Sequence, residues 1–162
     1  MKSIAKITCT ALLIVAITGC KASKPSAFET RTVTWVEHNI TIGGKNDKNP
    51  FPATAENIDE GKQAFTQYCM VCHGLDGQNT GVPFAEMMSP PVPSLASADV
   101  QAFTDGQLKW IIQHGIRPSG MPPSEGVFGD EDMWKMVLYI RHLPKKGSLG
   151  EPPVYSGGSS DK

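Results

Sequence analysis

Five consecutive residues, Cys69, Met70, Val71, Cys72 and His73, have the clearest chemistry in this sequence. They form a Cys-x-x-Cys-His motif, which is the attachment signal for c-type haem. Residues three and four positions apart lie on one face of a helical turn, so the two cysteines and the histidine can face one planar macrocycle. We therefore expect the thiols to form thioethers with the haem vinyl groups and the imidazole to bind the iron from one side.

Two other kinds of site also use a Cys-x-x-Cys pair. A redox-active dithiol is usually found in a βαβ context, and no such pattern surrounds Cys69 and Cys72. A structural zinc site needs four ligands, and no second Cys pair follows in the sequence. The adjacent His73 separates haem attachment from both alternatives, and the sequence therefore predicts one covalently bound haem c.

Around this motif the sequence resembles the class I cytochrome c family, over residues 53–146. The resemblance implies a small all-α fold with three main helices around the covalently bound haem. Gly61 and Phe65 match the family positions where the first helix crosses the last one, and Trp134 or Tyr139 would supply the aromatic partner. A capping-box pattern at 104–107 predicts the start of the middle helix.

The resemblance also implies a second iron ligand. In the family the axial methionine lies in a Gly-Met-Pro loop before the last helix, and Met121 is the methionine of such a loop here. The neighbouring prolines restrict the backbone, so the loop can present this side chain with a small loss of entropy on folding. His114 is the alternative ligand, although its position in the last turn of a helix is explained by the helix dipole.

The axial histidine of the family donates its second ring N–H to a proline carbonyl that follows a Thr-Gly pair. The segment 80–83, Thr-Gly-Val-Pro, is similar but has one extra residue before the proline. We expect some acceptor for this N–H, and the resemblance points to the backbone carbonyl of Pro83.

The N-terminus has the features of an exported bacterial lipoprotein. Two lysines precede an apolar run at 7–17, which is too short to span a bilayer. The segment Ile-Thr-Gly-Cys that ends at Cys20 resembles a lipobox, in which this cysteine is lipidated after removal of residues 1–19. The alternative is an ordinary secretory signal that is cut nearby and leaves a free thiol. With Cys9 in the signal, no cysteine remains for a disulfide.

The segments that flank the haem domain are less regular. Residues 20–52 are predicted to be a tether. Within it, residues 32–42 are rich in β-branched and aromatic types, and their apolar positions change parity midway, which predicts a short β-hairpin-like extension. Residues 147–162 are rich in Gly, Ser and Pro and are predicted to be a disordered tail.

The composition and the predicted iron ligands together limit the functions that the sequence allows. The formal net charge is -1 and no long basic cluster occurs, so nothing indicates a nucleic-acid partner. With ligands on both sides of the iron, the expected function is single-electron transfer between donor and acceptor redox proteins, without a small-molecule substrate or an enzymatic reaction. Cys20 would anchor the protein to the extracytoplasmic side of a bacterial membrane. Two alternatives remain open, namely a haem-bearing electron-entry subunit of a larger dehydrogenase or oxidase, and an open-site haem peroxidase or sensor.

Overall fold

The computed structural model describes Ser26, Phe28, Thr32, Trp35, Val36 and residues 40–117 and 119–156. The chain divides into two units, Met1–Val33 and Thr34–Lys162. Six helices have described bounds: α1 Ala55–Tyr68, α2 Met70–His73, α3 Ala98–Gln101, α4 Asp105–His114, α5 Asp130–Arg141 and α6 Pro153–Ser156. The described residues contain no strand, and this confirms the all-α prediction for the haem domain. No helix among them has the length and apolar character needed to cross a membrane.

The helix α1 leads directly into the Cys-x-x-Cys-His motif. The Thr54 hydroxyl caps its first turn by accepting from the Asn57 N–H at 3.2 Å. At its other end the Cys69 N–H donates to the Phe65 carbonyl at 2.8 Å, and the next turn begins at once. The motif therefore lies on helical backbone whose direction is set by α1.

The centre of the domain is the crossing of α1 and α5. A Cβ atom added to Gly61 would lie 2.0 Å from the Lys135 carbonyl oxygen, so only a glycine allows the two backbones to approach this closely. One turn further along α1, the Phe65 ring lies 5.2 Å from the Tyr139 ring, centroid to centroid. Both expectations for this crossing are confirmed, with Tyr139 rather than Trp134 in contact with Phe65.

The helix α4 completes the core against α5. The predicted capping box is present, since the Thr104 hydroxyl accepts from the Gln107 N–H and the Gln107 side chain accepts from the Thr104 N–H. Leu108 and Ile112 of α4 are buried in one cluster with α1 and α5. The helix ends at His114, and the following Gly115 has a φ of 68°, in the left-handed region.

The last ten residues of the predicted tether pack on the folded domain, and we call residues 43–52 the N-terminal arm. A Cβ atom on Gly106 of α4 would lie 2.0 Å from the Gly44 carbonyl oxygen, so the arm and the helix touch backbone to backbone. The Asn49 amide Nδ2 donates to the Trp134 carbonyl of α5 at 2.9 Å. A free tether can therefore extend only over residues before this arm.

The predicted β-hairpin at 32–42 is wrong for the residues of that range that the structure describes. Thr32, Trp35 and Val36 are helical, and Ile40 and Thr41 lie in a π-helical turn. In the smaller unit the Thr32 hydroxyl donates to the Phe28 carbonyl, four residues earlier, at 2.8 Å. A hydrogen bond from a threonine hydroxyl to the carbonyl four residues earlier is typical of a helical turn. The β-propensity of branched residues depends on context and does not exclude a helix here. The other residues of the range lie outside the described residues.

The segment 147–156 was predicted to be part of a disordered tail, and this is wrong because it packs on the loop that follows the motif. We call it the C-terminal strap. Pro152 is fully buried, and the Tyr155 hydroxyl donates to the Val71 carbonyl at 2.6 Å. Its glycines adopt positive φ angles and so form turns. A Gly-, Ser- and Pro-rich composition is shared by turns and disordered tails, and it does not distinguish them. The remainder of the predicted tail lies outside the described residues.

We expect replacement of Gly61 by Ala to lower the free energy of unfolding by at least about 2 kcal/mol, because the new methyl group forces α1 and α5 apart. Denaturant unfolding of the haem-containing protein measures this difference. The control is Gly129→Ala, where the added Cβ atom meets nothing closer than 3.4 Å. Equal stability of the two variants would show that the crossing tolerates a side chain.

Candidate haem site

The three chemically active side chains of the motif lie on one helical turn. The Cys72 N–H and the His73 N–H both donate to the Cys69 carbonyl, at 3.2 and 3.0 Å. The turn ends at Gly74, whose φ of 73° allows the chain to leave the helix sharply. This geometry places the residues at the relative positions that the motif predicts.

The His73 imidazole is held in its neutral form. Burial lowers the pKa of His73 to about 4, and the backbone of Pro93 opposes this shift in part. The Nδ1 atom is buried and has no partner at full hydrogen-bond geometry. A neutral imidazole keeps a nitrogen lone pair, which is the form that binds a metal ion.

The two cysteines are free thiols that differ from a redox-active pair. Burial, together with the neighbouring Cys72, raises the pKa of Cys69 to about 12. Redox-active dithiols depend on a lowered pKa, because the thiolate is the nucleophile. The environment of Cys69 therefore disfavours dithiol chemistry, whereas a thioether has no charge and is compatible with burial.

The proline that acts on the histidine ring is Pro93, ten positions after the predicted Pro83. Two hydrogen bonds hold the segment around Pro93 against the loop that follows the motif. The Asn79 Nδ2 donates to the Val92 carbonyl and the Leu95 N–H donates to the Gly77 carbonyl, both at 2.8 Å. Pro83 instead lines an open hollow beside the C-terminal strap. The sequence contains several prolines after the motif, and only the folded loop shows which one approaches the ring.

The methionine loop is fixed by backbone contacts. The Ile116 N–H donates to the Met121 carbonyl at 3.2 Å, and the Met121 N–H donates to the Ser119 hydroxyl at 3.3 Å. A Cβ atom on Gly115 would lie 2.4 Å from the Met121 carbonyl oxygen, so this glycine lets the loop fold back on the end of α4. The Met121 side chain is half-buried.

The alternative ligand His114 has a different environment. Its ring is stacked on Trp110, with 4.5 Å between the centroids, and its Nδ1 lies 2.9 Å from the Trp110 carbonyl oxygen. The side chain is exposed at the end of α4. The structure thus provides a structural role for His114.

A second methionine near the ligand loop was not identified from the sequence. The methyl carbon of Met88 lies 3.4 Å from the position of a Cβ atom on Gly120, directly before Met121. The contact joins residues far apart in the sequence, and no local pattern indicates it.

A buried carboxylate stabilises the loop after the motif. Asp76 has no solvent exposure and accepts hydrogen bonds from the Thr80 hydroxyl at 2.6 Å, the Gly147 N–H at 2.7 Å and the Gln78 N–H at 2.9 Å. Burial alone would raise the pKa of Asp76, but these hydrogen bonds outweigh it and the pKa is lowered. The bond from Gly147 joins the loop to the start of the C-terminal strap.

The residues present fit a covalently bound haem. The motif turn offers a buried, neutral imidazole and two thiols that no disulfide consumes. Cys69 and Cys72 would hold the macrocycle covalently, and His73 and Met121 would bind its iron. A bound haem supplies an iron that takes up and releases one electron.

Comparisons with known proteins agree with this chemistry. The family model described as cytochrome C oxidase, cbb3-type, subunit III matches residues 56–140, slightly more than half of the chain, and includes the motif and Met121. The quinohemoprotein alcohol dehydrogenase ADH IIB of Pseudomonas putida is 28% identical over 98 residues. These residues are 59% of this chain but only 13% of that relative, so the similarity concerns a small part of a larger protein.

Replacement of Asp76 by Asn should lower the free energy of unfolding at pH 7 by about 2–3 kcal/mol, because an amide cannot accept from all three donors. Folding lowers the pKa of Asp76. Its contribution is therefore complete above the unfolded carboxyl pKa, near 4, and is lost as the pH falls below that value. Denaturant unfolding of both proteins at a series of pH values should show their difference shrinking towards low pH. The exposed Asp59→Asn is the control, and a difference independent of pH would contradict the assignment.

Proposed function

The chain belongs to the cytochrome c oxidase, cbb3-type, subunit III family, and we propose that it carries single electrons between redox proteins at the outer face of a bacterial membrane. The family match confirms the predicted covalently bound haem c and supports electron transfer through it. Cys69 and Cys72 are the residues that we propose hold it. The observation on which the proposal rests is the motif turn, where a neutral imidazole and two free thiols are fixed on one helical backbone.

The proposed ligands suit electron transfer because both are neutral. His73 and Met121 add no charge of their own to the iron, and both can stay bound in either oxidation state. Histidine and methionine together give a higher reduction potential than harder axial pairs. Burial of the site acts in the same direction, because it disfavours the additional positive charge of the oxidised iron. With His73 and Met121 both bound to the iron, no position would be open for oxygen or a substrate.

We propose that lipid on Cys20 anchors this domain to the membrane. The N-terminal arm packs on the folded domain from Gly43 onwards, so the connection to the anchor is the segment 20–42. A fully extended chain of this length spans about 80 Å, and the helical residues within it shorten this reach. This reach allows a tethered carrier to meet both a donor and an acceptor held in the same membrane.

A second candidate is an electron-entry subunit of a larger oxidoreductase. It is favoured by the family description, which names an oxidase subunit, and by the similarity to part of a quinohemoprotein dehydrogenase. Purification of the native protein in mild detergent separates the two functions. A partner that stays bound in fixed stoichiometry favours the subunit, whereas a single haem polypeptide favours the carrier. Carbon monoxide binding at neutral pH would instead favour the open-site peroxidase or sensor.

We expect Met121→Ala to abolish the methionine–iron charge-transfer band of the oxidised protein and to allow carbon monoxide binding to the reduced protein. The reduction potential should fall by at least about 60 mV, a tenfold change in a one-electron equilibrium constant. An optical redox titration measures the band and the potential together. Met87→Ala is the matched control, because Met87 is 76% exposed. An unchanged band in Met121→Ala would assign the sixth ligand to another residue.

We expect Cys20→Ala to move the haem protein from the membrane fraction to the soluble fraction of fractionated cells. Without the thiol no lipid can be attached, and no other anchor is proposed. Cys9→Ala is the control, since this residue is removed with the predicted signal and its loss should leave the protein in the membrane. Intact mass measurement of the wild type should find a lipid-modified N-terminal cysteine. Membrane retention of Cys20→Ala would contradict the anchor.

A further inference from the structure

Asp76 places a charge in the interior of the domain, three residues after His73. Its side chain has no solvent exposure. Lys135, the other charged residue that is buried in the described part of the chain, forms ion pairs with Glu60 and Glu131. None of the described cationic side chains forms such a pair with Asp76. The interior next to the haem motif therefore contains an anion whose charge no paired cation neutralises.

The hydrogen bonds of Asp76 show that its carboxyl group is ionised. Its Oδ1 accepts from the Gln78 N–H, and its Oδ2 accepts from the Gly147 N–H and the Thr80 hydroxyl. A backbone N–H can only donate, so both oxygens face donors and neither faces an acceptor for a carboxyl proton. Such bonds favour the charged form, and they lower the pKa of Asp76 despite its burial. The negative charge is therefore present at neutral pH.

The carboxylate lies against the backbone that follows the proposed axial histidine. A Cβ atom on Gly74 would lie 3.2 Å from the Asp76 Oδ1. The Asn79 N–H donates to the His73 carbonyl at 2.8 Å, so the loop that contains Asp76 begins at His73 and closes on it. The charge also acts beyond its hydrogen-bond partners, since it contributes to the raised pKa of Tyr139. Asp76 is thus a source of negative potential at the histidine side of the site.

We propose that the Asp76 carboxylate sets the reduction potential of this centre, as a fixed negative charge that stabilises the oxidised iron. Loss of one electron leaves one more positive charge at the iron, and a nearby anion favours that state. A buried charge acts more strongly than an exposed one, because water and salt screen it less. Asp76 would therefore oppose the rise in potential that His73, Met121 and burial produce. The inference rests on the proposed electron-transfer function and on haem bound at His73.

Asp76→Asn removes the charge with little change in size and should raise the reduction potential. We expect the one-electron equilibrium constant to change at least about threefold in favour of the reduced protein, which corresponds to about 30 mV. The shift should persist at high salt, because salt screens buried charges weakly. The control is the exposed Asp59→Asn, for which any shift should disappear at high salt. Optical redox titrations at low and high salt measure both variants.

Thr80→Val separates the effect of the charge from the effect of a loosened loop. It removes the hydroxyl that donates to Asp76 at 2.6 Å but leaves the carboxylate in place. The potential should stay the same or fall, because water that enters a loosened site stabilises the oxidised iron. Asp76→Asn combined with Thr80→Asp moves the carboxylate across the same hydrogen bond, and the potential should return towards the wild-type value. The proposal is overturned when Asp76→Asn does not raise the potential, or when Thr80→Val raises it equally.

Infrared spectroscopy of the wild-type protein tests the proposal even where Asp76→Asn does not fold. Isotope labelling of the aspartate carboxyls identifies their bands in the difference spectrum between the reduced and oxidised forms. We expect reduction to shift the stretching band of an ionised aspartate, and the absence of any labelled carboxylate band would overturn the proposal. A wild-type protein that does not titrate as a one-electron centre would remove the proposed function. A normal wild-type titration with an unshifted Asp76→Asn variant would remove this inference alone.

Discussion

The contact between the backbones of Gly61 and Lys135 is the constraint on which the remaining geometry depends. Because α1 can approach α5 at this point without a side chain between them, the Phe65 and Tyr139 rings meet one turn later. The same helix α1 continues into the Cys-x-x-Cys-His turn. A change in the crossing would therefore change the direction in which the motif faces.

Electrostatics in this domain favour neutral groups near the motif. Burial keeps the imidazole of His73 and the thiol of Cys69 uncharged at neutral pH. Burial and the charge of Asp76 raise the pKa of Tyr139 to about 12, so its hydroxyl keeps the proton that it donates to the Leu75 carbonyl at 2.8 Å. Asp76 is the exception, and backbone and hydroxyl donors compensate its burial. In a site of this kind the net charge changes with the oxidation state of the iron and not with the protonation of the side chains.

The sequence predicted the parts of the structure that depend on local spacing. The motif turn, the capping box of α4 and the glycine at the helix crossing are each specified by residues close together in the chain or by a family position. The sequence did not predict which proline lies beside the imidazole. Hydrogen bonds made by Asn79 and Leu95 hold Pro93 near the ring, and no local spacing rule predicts these bonds. The predictions for the strap and for the hairpin region were wrong for a related reason. Composition indicates the local conformational preference of a segment but not the surface on which the segment packs.

The N-terminal arm and the C-terminal strap explain how so small a domain is stabilised. Cys69 and Cys72 are needed for the haem and therefore cannot form a disulfide, which is a common means of stabilising small domains. The N-terminal arm bonds to α5 through Asn49, and the C-terminal strap bonds to the motif loop through Gly147 and Tyr155. These contacts join segments that are far apart in sequence, as a disulfide would. They also bring the strap to the backbone of the haem motif itself, so the stability of the strap and the environment of the motif are physically coupled.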